Sequence, residues 1–369
     1  MNVLQINEQR GWRGGEQQAS YLIRGLAKRG HNVVIAGRPN SEFLRSDHGG
    51  ADLIRVSAPF LGEFDLWTAW KLAQAVKRYH IDILHAHTSH AHTAACLARI
   101  LPSLGTPSTS SARVVVSRRV DFPPRKGAVN RWKYNQPDRI VAVSNFIAQV
   151  MRDYGADPAK LTVVHSATDP TRFNVEPLPR AALGVPEGVP LLGNVAALVG
   201  HKDHQTLLAA IPLVLRKLPD LHLVCVGEGK LRPAIEAQIA ELDIGDHVHL
   251  LGHRDDVPRI LRALDAFVLS SKEEGFGGAA LEGMASGVPV VSTAAGGMSE
   301  TVMHEKTGLL VPIRNPEALA NAILRIFHEP NLAATLVQNG KRLANEDFCV
   351  DRMVEGNLAV YHELLGLTE

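Results

Sequence analysis

Two glutamates eight positions apart, Glu274 and Glu282, flank glycines at 275, 277 and 278. A carboxylate accepts two hydrogen bonds at once, so each suits a vicinal diol such as a ribose or the edge of a hexose. The glycines let backbone approach a ligand closely. They stand between an apolar strand pattern and a helical one, and the exposed amides of a helix start favour a phosphate group. Glu274 then lies in the loop and Glu282 in the first turns of the helix, directed at different parts of one ligand. Lys202 precedes another helical pattern, where a lysine either neutralises an anion or sits in solvent. Four histidines crowd one segment: His85, His87, His90 and His92. The two-residue period of a strand puts His85 and His87 on one face, and a buried, hydrogen-bonded ring is the plainer reading of each. The cluster lacks a carboxylate or cysteine to complete a metal site, and no metal is expected.

The patterns that must position these residues alternate along nearly the whole chain. Strands are predicted over residues 2–7, 31–36, 81–85, 113–117 and 140–143, with helices over 16–29, 67–79 and 91–101. A second series places strands over 191–195, 221–226, 247–250, 266–270 and 290–292. Its helices cover 204–218, 232–242, 257–264, 278–286 and 316–327. Short apolar runs separated by helices predict α/β architecture, with parallel sheets covered on both faces. The polar, proline-bearing stretch 169–186 reads as a linker. Two doubly wound domains follow, residues 1–170 and 171–349, with a helical tail of about 350–369 crossing back onto the first. Ligands of such sheets bind beyond the carboxyl ends of the strands, so a cleft between the domains is expected.

A chain of 369 residues, 45% hydrophobic, can bury a large core, and 21% charge without low-complexity tracts argues against disorder. Apolar runs such as 191–198 and 263–269 are far too short to span a bilayer. Residues 3–6 open as a strand and not as a secretory leader, so a cytoplasmic protein is expected. Cys96, Cys225 and Cys349, odd in number and far apart, read as buried thiols in a reducing compartment. The net charge of +1 hides an asymmetry. Residues 1–175 carry 23 Lys and Arg against 13 Asp and Glu, and residues 176–369 carry 16 against 25. The densest basic cluster is Arg113, Arg118, Arg119, Arg125, Lys126, Arg131, Lys133 and Arg139, with Phe122, Trp132 and Tyr134 interleaved. That mixture predicts a face toward an anionic membrane or an acceptor, an ordinary solvated face being the alternative. No nucleic-acid partner is expected.

The segment 270–291 resembles the E-x7-E signature of the retaining glycosyltransferases of family 4, which have the GT-B fold. It shares the Glu274–Glu282 spacing, Gly275-Phe276-Gly277 and the run Met284-Ala285-x-Gly287-x-Pro289-Val290-Val291. Other stretches are similar to the family in the same order. They are Gly14-Gly15-Glu16, residues 82–87, Ala142-Val143-Ser144, residues 163–169, His201-Lys202-Asp203, Gly296-Gly297 and Gly308-Leu309-Leu310-Val311. The resemblance covers essentially the full chain and implies two Rossmann-like domains with an interdomain cleft. It implies that Glu282 holds the donor ribose, Glu274 the transferred sugar and Lys202 the diphosphate. Gly14 and Gly15 would face that diphosphate, Gly275, Phe276, Gly277 and Gly278 would line the donor, and His87 would touch sugar or acceptor. Relatives carry a diphosphate arginine five residues before the lysine; here that position is Ala197. Arg254, Arg118, Arg119 or the amides of Gly14 and Gly15 are the candidate replacements. Residues 116–124, with Arg118 and Arg119, are expected on the acceptor side. The implied reaction is metal-independent hexosyl transfer with retention. The donor is a UDP-, GDP- or ADP-linked sugar, no cofactor is needed, and the acceptor is a glycan or lipid-linked molecule such as lipopolysaccharide core. A nucleotide-sugar epimerase of the same fold and a non-catalytic sugar-nucleotide-binding protein are the alternatives.

Overall fold

The computed structural model of the protein describes residues 1–100 and 112–367. The chain forms two compact units, Met1–Ser166 with Val350–Glu369, and Ala167–Cys349.

The first unit is built on seven strands. These are β1 (Asn2–Asn7), β2 (Asn32–Gly37), β3 (Ile54–Ser57), β4 (Ile83–Ala86), β5 (Arg113–Arg118), β6 (Arg139–Ala142) and β7 (Leu161–Val163). They pair in parallel in the order β3-β2-β1-β4-β5-β6-β7. Val3, Leu4 and Ile6 of β1 are fully buried, as a strand covered on both faces requires. Leu4 lies between Val34 and Leu84 on the neighbouring strands. The tail helix Val350–Leu365 packs on the helix Gly14–Lys28, and a Cβ on Gly25 would stand 2.3 Å from a methyl of Val354. That close approach explains a glycine inside a helix, where it otherwise costs about 1 kcal/mol relative to alanine.

The second unit has six strands: β8 (Leu191–Val195), β9 (His222–Val226), β10 (Val248–Gly252), β11 (Ala266–Leu269), β12 (Val290–Thr293) and β13 (Leu309–Val311). Their order is β10-β9-β8-β11-β12-β13, again all parallel. In both sheets the strand order runs outward and then reverses. The switch falls between β1 and β4 in the first sheet and between β8 and β11 in the second, and such a reversal opens a crevice beyond the strand ends.

The predicted helix over 91–101 is seen as Ser89–Ile100, with residue 101 outside the described residues. The strands and helices predicted for the second unit agree with the observed spans to within three residues, while β13 had no predicted counterpart. The stretch 169–186 is not bare linker. It holds the 3₁₀ turns Pro170–Phe173 and Arg180–Leu183. Asp169 caps the first of them, its carboxylate accepting from the amide and hydroxyl of Thr171, and Pro170 fixes the opening φ. β3, β7 and the helices Ala128–Asn135, Asn145–Tyr154 and Pro330–Arg342 were not anticipated. The two strands are short and only partly covered, so neither shows a continuous apolar run. Cys96 and Cys225 are buried, with thiols pushed up to about 12 by burial, while Cys349 is half-buried. Among the described residues, no helix is long and apolar enough to cross a membrane.

Candidate active site

In the second unit, the loops that follow the two switch-point strands carry Lys202 and Glu274. Lys202 closes the turn Gly200–Lys202 after β8, and its Nζ lies 2.5 Å from Oε2 of Glu274, which follows β11. The scaffold explains the meeting. Buried Asn194 on β8 donates to the carbonyl of Val268 on β11 at 2.8 Å, stitching the two strands together. Beyond the strands, the amide of Lys272 donates to the carbonyl of His201, and Ser270 Oγ donates to that of Lys202. The β8 loop is clamped from its other side as well: a Cβ on Gly227 would lie 2.1 Å from the Ala196 carbonyl oxygen, so only glycine allows that packing. Asp203, next to the lysine, takes a left-handed conformation (φ 50°) that few residues without an Asn or Asp side chain adopt.

The helix Gly278–Ser286 opens from Gly277, whose φ of 90° lies in the left-handed region, with no side chain capping its first turn. A Cβ on Gly277 would meet the Met298 sulfur at 2.6 Å, whereas one on Gly278 would meet nothing, so the turn is packed below and open above. Phe276 is buried, edge-on to Phe348 with ring centres 5.2 Å apart. Its side chain anchors the loop. Glu282 is half-buried one turn into the helix and pairs with Arg172 at 3.1 Å. Burial raises its carboxyl above the usual range, and Arg172 opposes that shift. Arg172 escaped the sequence reading, although Asp169-Pro170 just before it is a helix-start signal that breaks the supposed linker. Arg254 is committed to Asp256 through two bonds of 2.8 and 2.7 Å. Ala197 is exposed after β8.

In the first unit, the switch-point strands lead to Gly14-Gly15 after β1 and to His87 after β4. Glu16 accepts from the Arg13 amide and from Asn7 Nδ2, both at 3.0 Å, which fixes the start of the helix Gly14–Lys28. His85 and His87 stack with centres 4.4 Å apart. His85 lies between Tyr361 and Ser117, and burial pushes it down to about 3. His87 Nε2 faces Gln5 Oε1 at 2.5 Å and so carries the proton, leaving Nδ1 toward Nη2 of Arg119 at 3.5 Å. Burial first, then His85 and Arg119, hold His87 well below the ordinary histidine range. His92 binds the Lys133 carbonyl and His90 faces Glu63, so the four histidines do not converge.

The basic cluster is likewise not one face. Lys133 is buried against Glu63 and Ser89, Arg118 donates to Tyr134 Oη and the Phe122 carbonyl, and Arg139 reaches Glu363. Arg125, Lys126 and Arg131 remain exposed. Proximity in sequence misled here because the cluster spans a strand, a loop and a helix, each turning its cations differently.

Residues 12–172 match the family model "Glycosyltransferase Family 4", and residues 176–343 match "Glycosyl transferases group 1". A D-inositol 3-phosphate glycosyltransferase of Salinispora arenicola (strain CNS-205) is 31% identical over 335 residues, covering 83% of this chain and 70% of that protein. The lipopolysaccharide core biosynthesis glycosyltransferase LpsE of Rhizobium meliloti (strain 1021) is 27% identical over 89% of each chain. Among solved structures, Anabaena Alr3699/HepE in complex with UDP-glucose matches 99% of each chain with a TM-score of 0.83 at 20% identity, a likeness of fold. With its two parallel-sheet domains of GT-B type, this chain belongs to the group 1, family 4 glycosyltransferases.

Proposed function

We propose that the protein moves a hexose from a nucleoside diphosphate sugar onto a glycan or lipid-linked acceptor, with retention at the anomeric carbon. The observation that carries this reading is the Lys202–Glu274 pair at the switch point of the second sheet, one turn of helix away from Glu282. In the free protein the ammonium and carboxylate satisfy each other. A donor would part them, its diphosphate taking Lys202 and its sugar hydroxyls taking Glu274, while Glu282 accepts from the ribose. Relatives named as a lipopolysaccharide core biosynthesis glycosyltransferase and as a D-inositol 3-phosphate glycosyltransferase make a lipid-linked or phosphorylated acceptor the leading class.

Both glutamates are assigned to hydroxyls, which leaves no carboxylate for a covalent sugar intermediate and favours attack from the leaving-group face. The bond from the anomeric carbon to the diphosphate breaks and the bond to the acceptor oxygen forms. The acceptor's proton passes to the departing phosphate oxygen, giving a nucleoside diphosphate and the glycoside. Lys202 stabilises the charge that develops on the leaving group. No metal is assigned a part. Contact with the cytoplasmic face of an anionic membrane is proposed for the first unit, through exposed Arg125, Lys126 and Arg131 and the apolar segment that holds Leu61, Phe64 and Trp67.

A thermal-shift panel of UDP-, GDP- and ADP-sugars tests donor use, since a ligand of the native state raises its melting temperature. Turnover of the stabilising donor is then followed by release of nucleoside diphosphate and by the anomeric coupling of the product. No stabilisation by any member, an inverted product, or a sugar trapped covalently on Glu274 would each overturn the corresponding part of the reading.

A further inference from the structure

The first unit holds a cavity of about 600 Å³, within the range of small-molecule sites. It opens between the helix Ala128–Asn135 and the C-terminal end of the helix Asn145–Tyr154. These helices follow β5 and β6, on the side of the sheet that ends in β7, away from the switch between β1 and β4. Asn135 leads into β6, and Gly155 and Ala156 lead toward β7, so the cavity extends to the N-terminal edge of the strands. Ligands of the switch point gather at the opposite, carboxyl edge.

Two kinds of side chain line it. Tyr134 is buried and fixed, its ring edge-on to His92 and its Oη accepting from Arg118 at 2.9 Å. Tyr154 is half-buried beside it, with ring centres 5.6 Å apart and planes at 66°. Such a pair offers apolar ring surface with hydroxyls at its rim. That suits a saturated sugar ring, which has C–H faces and hydroxyl edges. Lys126 and Arg131 supply charge. Both are exposed, and among the described residues neither side chain has a hydrogen bond or an ion pair. None of the described lining residues is acidic. Lys160, whose Nζ donates to the Asn135 carbonyl at 2.8 Å, places a third cation near the lower end.

The backbone around the cavity is held. Asn130 Nδ2 donates to the Arg125 carbonyl at 2.8 Å and the Arg131 amide to that of Gly127 at 3.0 Å, which fixes the turn bearing Lys126. Gly127 (φ 145°) and Gly155 (φ 95°) turn the chain at either end in conformations that favour glycine, and a Cβ on either would meet nothing within 4 Å.

We infer that this cavity binds an anionic sugar unit, its ring against Tyr154 and its phosphate or carboxylate between Lys126 and Arg131. The site is separate from the reaction centre. Only its use, to hold a further unit of a phosphorylated or acidic acceptor, rests on the proposed function.

Calorimetric titration in the absence of lipid tests the site, with glucose 6-phosphate, glucuronate, glucose and inorganic phosphate as probes. Wild type should bind glucose 6-phosphate and glucuronate more tightly than glucose or phosphate, and saturating UDP, GDP or ADP should not displace them. Arg131→Gln should weaken both anionic sugars about tenfold and leave glucose unchanged. Tyr154→Leu, which keeps apolar packing, should weaken all three sugars and leave inorganic phosphate unchanged. Arg125→Gln, an exposed cation outside the lining, should change nothing. No binding of either anionic sugar to wild type overturns the inference. Equal losses in Arg125→Gln and Arg131→Gln would also overturn it, since they would reduce binding to general attraction by a basic surface. Sugar affinity untouched in Tyr154→Leu would remove the ring contact, and displacement by a nucleoside diphosphate would place the probe in the reaction centre instead. Because no step of the test needs turnover, failure of every nucleotide sugar to serve as donor would refute the proposed function and leave this site standing.

Discussion

The two sheets reverse their strand order at equivalent places, yet the side chains delivered there are opposite in electrostatic character. At β8 and β11 the loops bring a lysine and a glutamate into contact, and a further glutamate is held by Arg172. Charges are balanced within that site, and a ligand must exchange partners to enter. At β1 and β4 the loops bring two glycines and a neutral histidine, with half-buried Arg119 beside them facing His87 and Ser166 and with Glu16 the acid that acts on it. Among the described residues Arg119 makes no direct ion pair. One topology therefore supplies two kinds of site. A balanced site can sort hydroxyls and leaving-group charge in turn. An unbalanced one is suited to gripping an anion that stays an anion. The first should govern turnover and the second affinity.

The sharpest way to break this contrast is Lys202→Ala. If Lys202 meets charge that develops only as the glycosidic bond breaks, kcat falls about 100- to 1000-fold with a smaller change in donor KM. A kcat within a few-fold of wild type would put the balanced site outside the chemistry.

Acid stability separates the two units next. His85 and His92 are held down to about 3 and His87 well below the ordinary range, all in the first unit, whereas in the second unit His204 is held at about 4. Burial is the main cause in each case. The unfolded chain binds these protons near pH 6.5 and the folded chain does not. Stability is therefore complete above about pH 6.5 and falls as pH drops toward the folded values. At pH 5 His85, His92 and His204 have each cost about 2 kcal/mol, and His87 adds in the same direction. All four tryptophans, Trp12, Trp67, Trp70 and Trp132, lie in the first unit, so their fluorescence reports on it alone while far-ultraviolet dichroism reports on both. The fluorescence transition should come at the higher pH, ahead of the final loss of dichroism. Coincident transitions, or the reverse order, would show that buried histidines do not distinguish the units.

What was legible in the sequence followed from backbone requirements. Apolar runs bounded by glycine and proline marked the central strands, because strands buried on both faces tolerate little else. The 274–287 segment was legible because its glycines answer fixed demands: Gly277 and Gly287 both take left-handed φ, and the intervening helix spans Gly278–Ser286 as anticipated. Partnerships across the sheet were not legible. Arg172 reaches Glu282 over 110 positions, and Tyr361 of the tail reaches His85 over 276. No local pattern encodes such distances. Nor could the run Arg118-Arg119 disclose that the first would donate to Tyr134 Oη and the Phe122 carbonyl while the second approaches Ser166 and His87.

A smaller effect tests how Arg172 serves Glu282. The ion pair lowers a carboxyl that burial raises. With Arg172→Ala, the carboxyl should titrate at higher pH, so the acidic limb of donor kcat/KM moves toward neutrality. Near pH 6 the loss should be about tenfold, shrinking as pH rises. Glu282→Gln, lacking the titration, should show no such limb. A pH-independent loss in Arg172→Ala would mean that the arginine touches the donor itself.

The smallest effect concerns the surface of the first unit, where leftover positive charge could also serve a membrane. Leu61 is 80% exposed, Phe64 51%, Leu66 59% and Trp67 55%. They are not exposed through looseness. Glu63 among them is tied to buried Lys133 and to Thr93, Asp65 caps the helix Leu66–Arg78, and Phe64 lies 6.2 Å from the Trp132 ring. Trp132 sits on the helix that bears exposed Arg131. An apolar ridge held rigidly near exposed cations matches the interface of an anionic bilayer, which takes apolar groups at headgroup depth and attracts each nearby cation by about 1 kcal/mol. Wild-type protein should therefore partition onto phosphatidylglycerol vesicles and not onto phosphatidylcholine ones, with a blue shift of tryptophan emission. Arg131→Gln should weaken partitioning about fivefold, and Trp67→Ser should weaken it while abolishing most of the shift. Equal binding to both lipids would remove the electrostatic half of the argument. Partitioning untouched by Trp67→Ser would remove the apolar half, leaving the ridge without a role at the membrane.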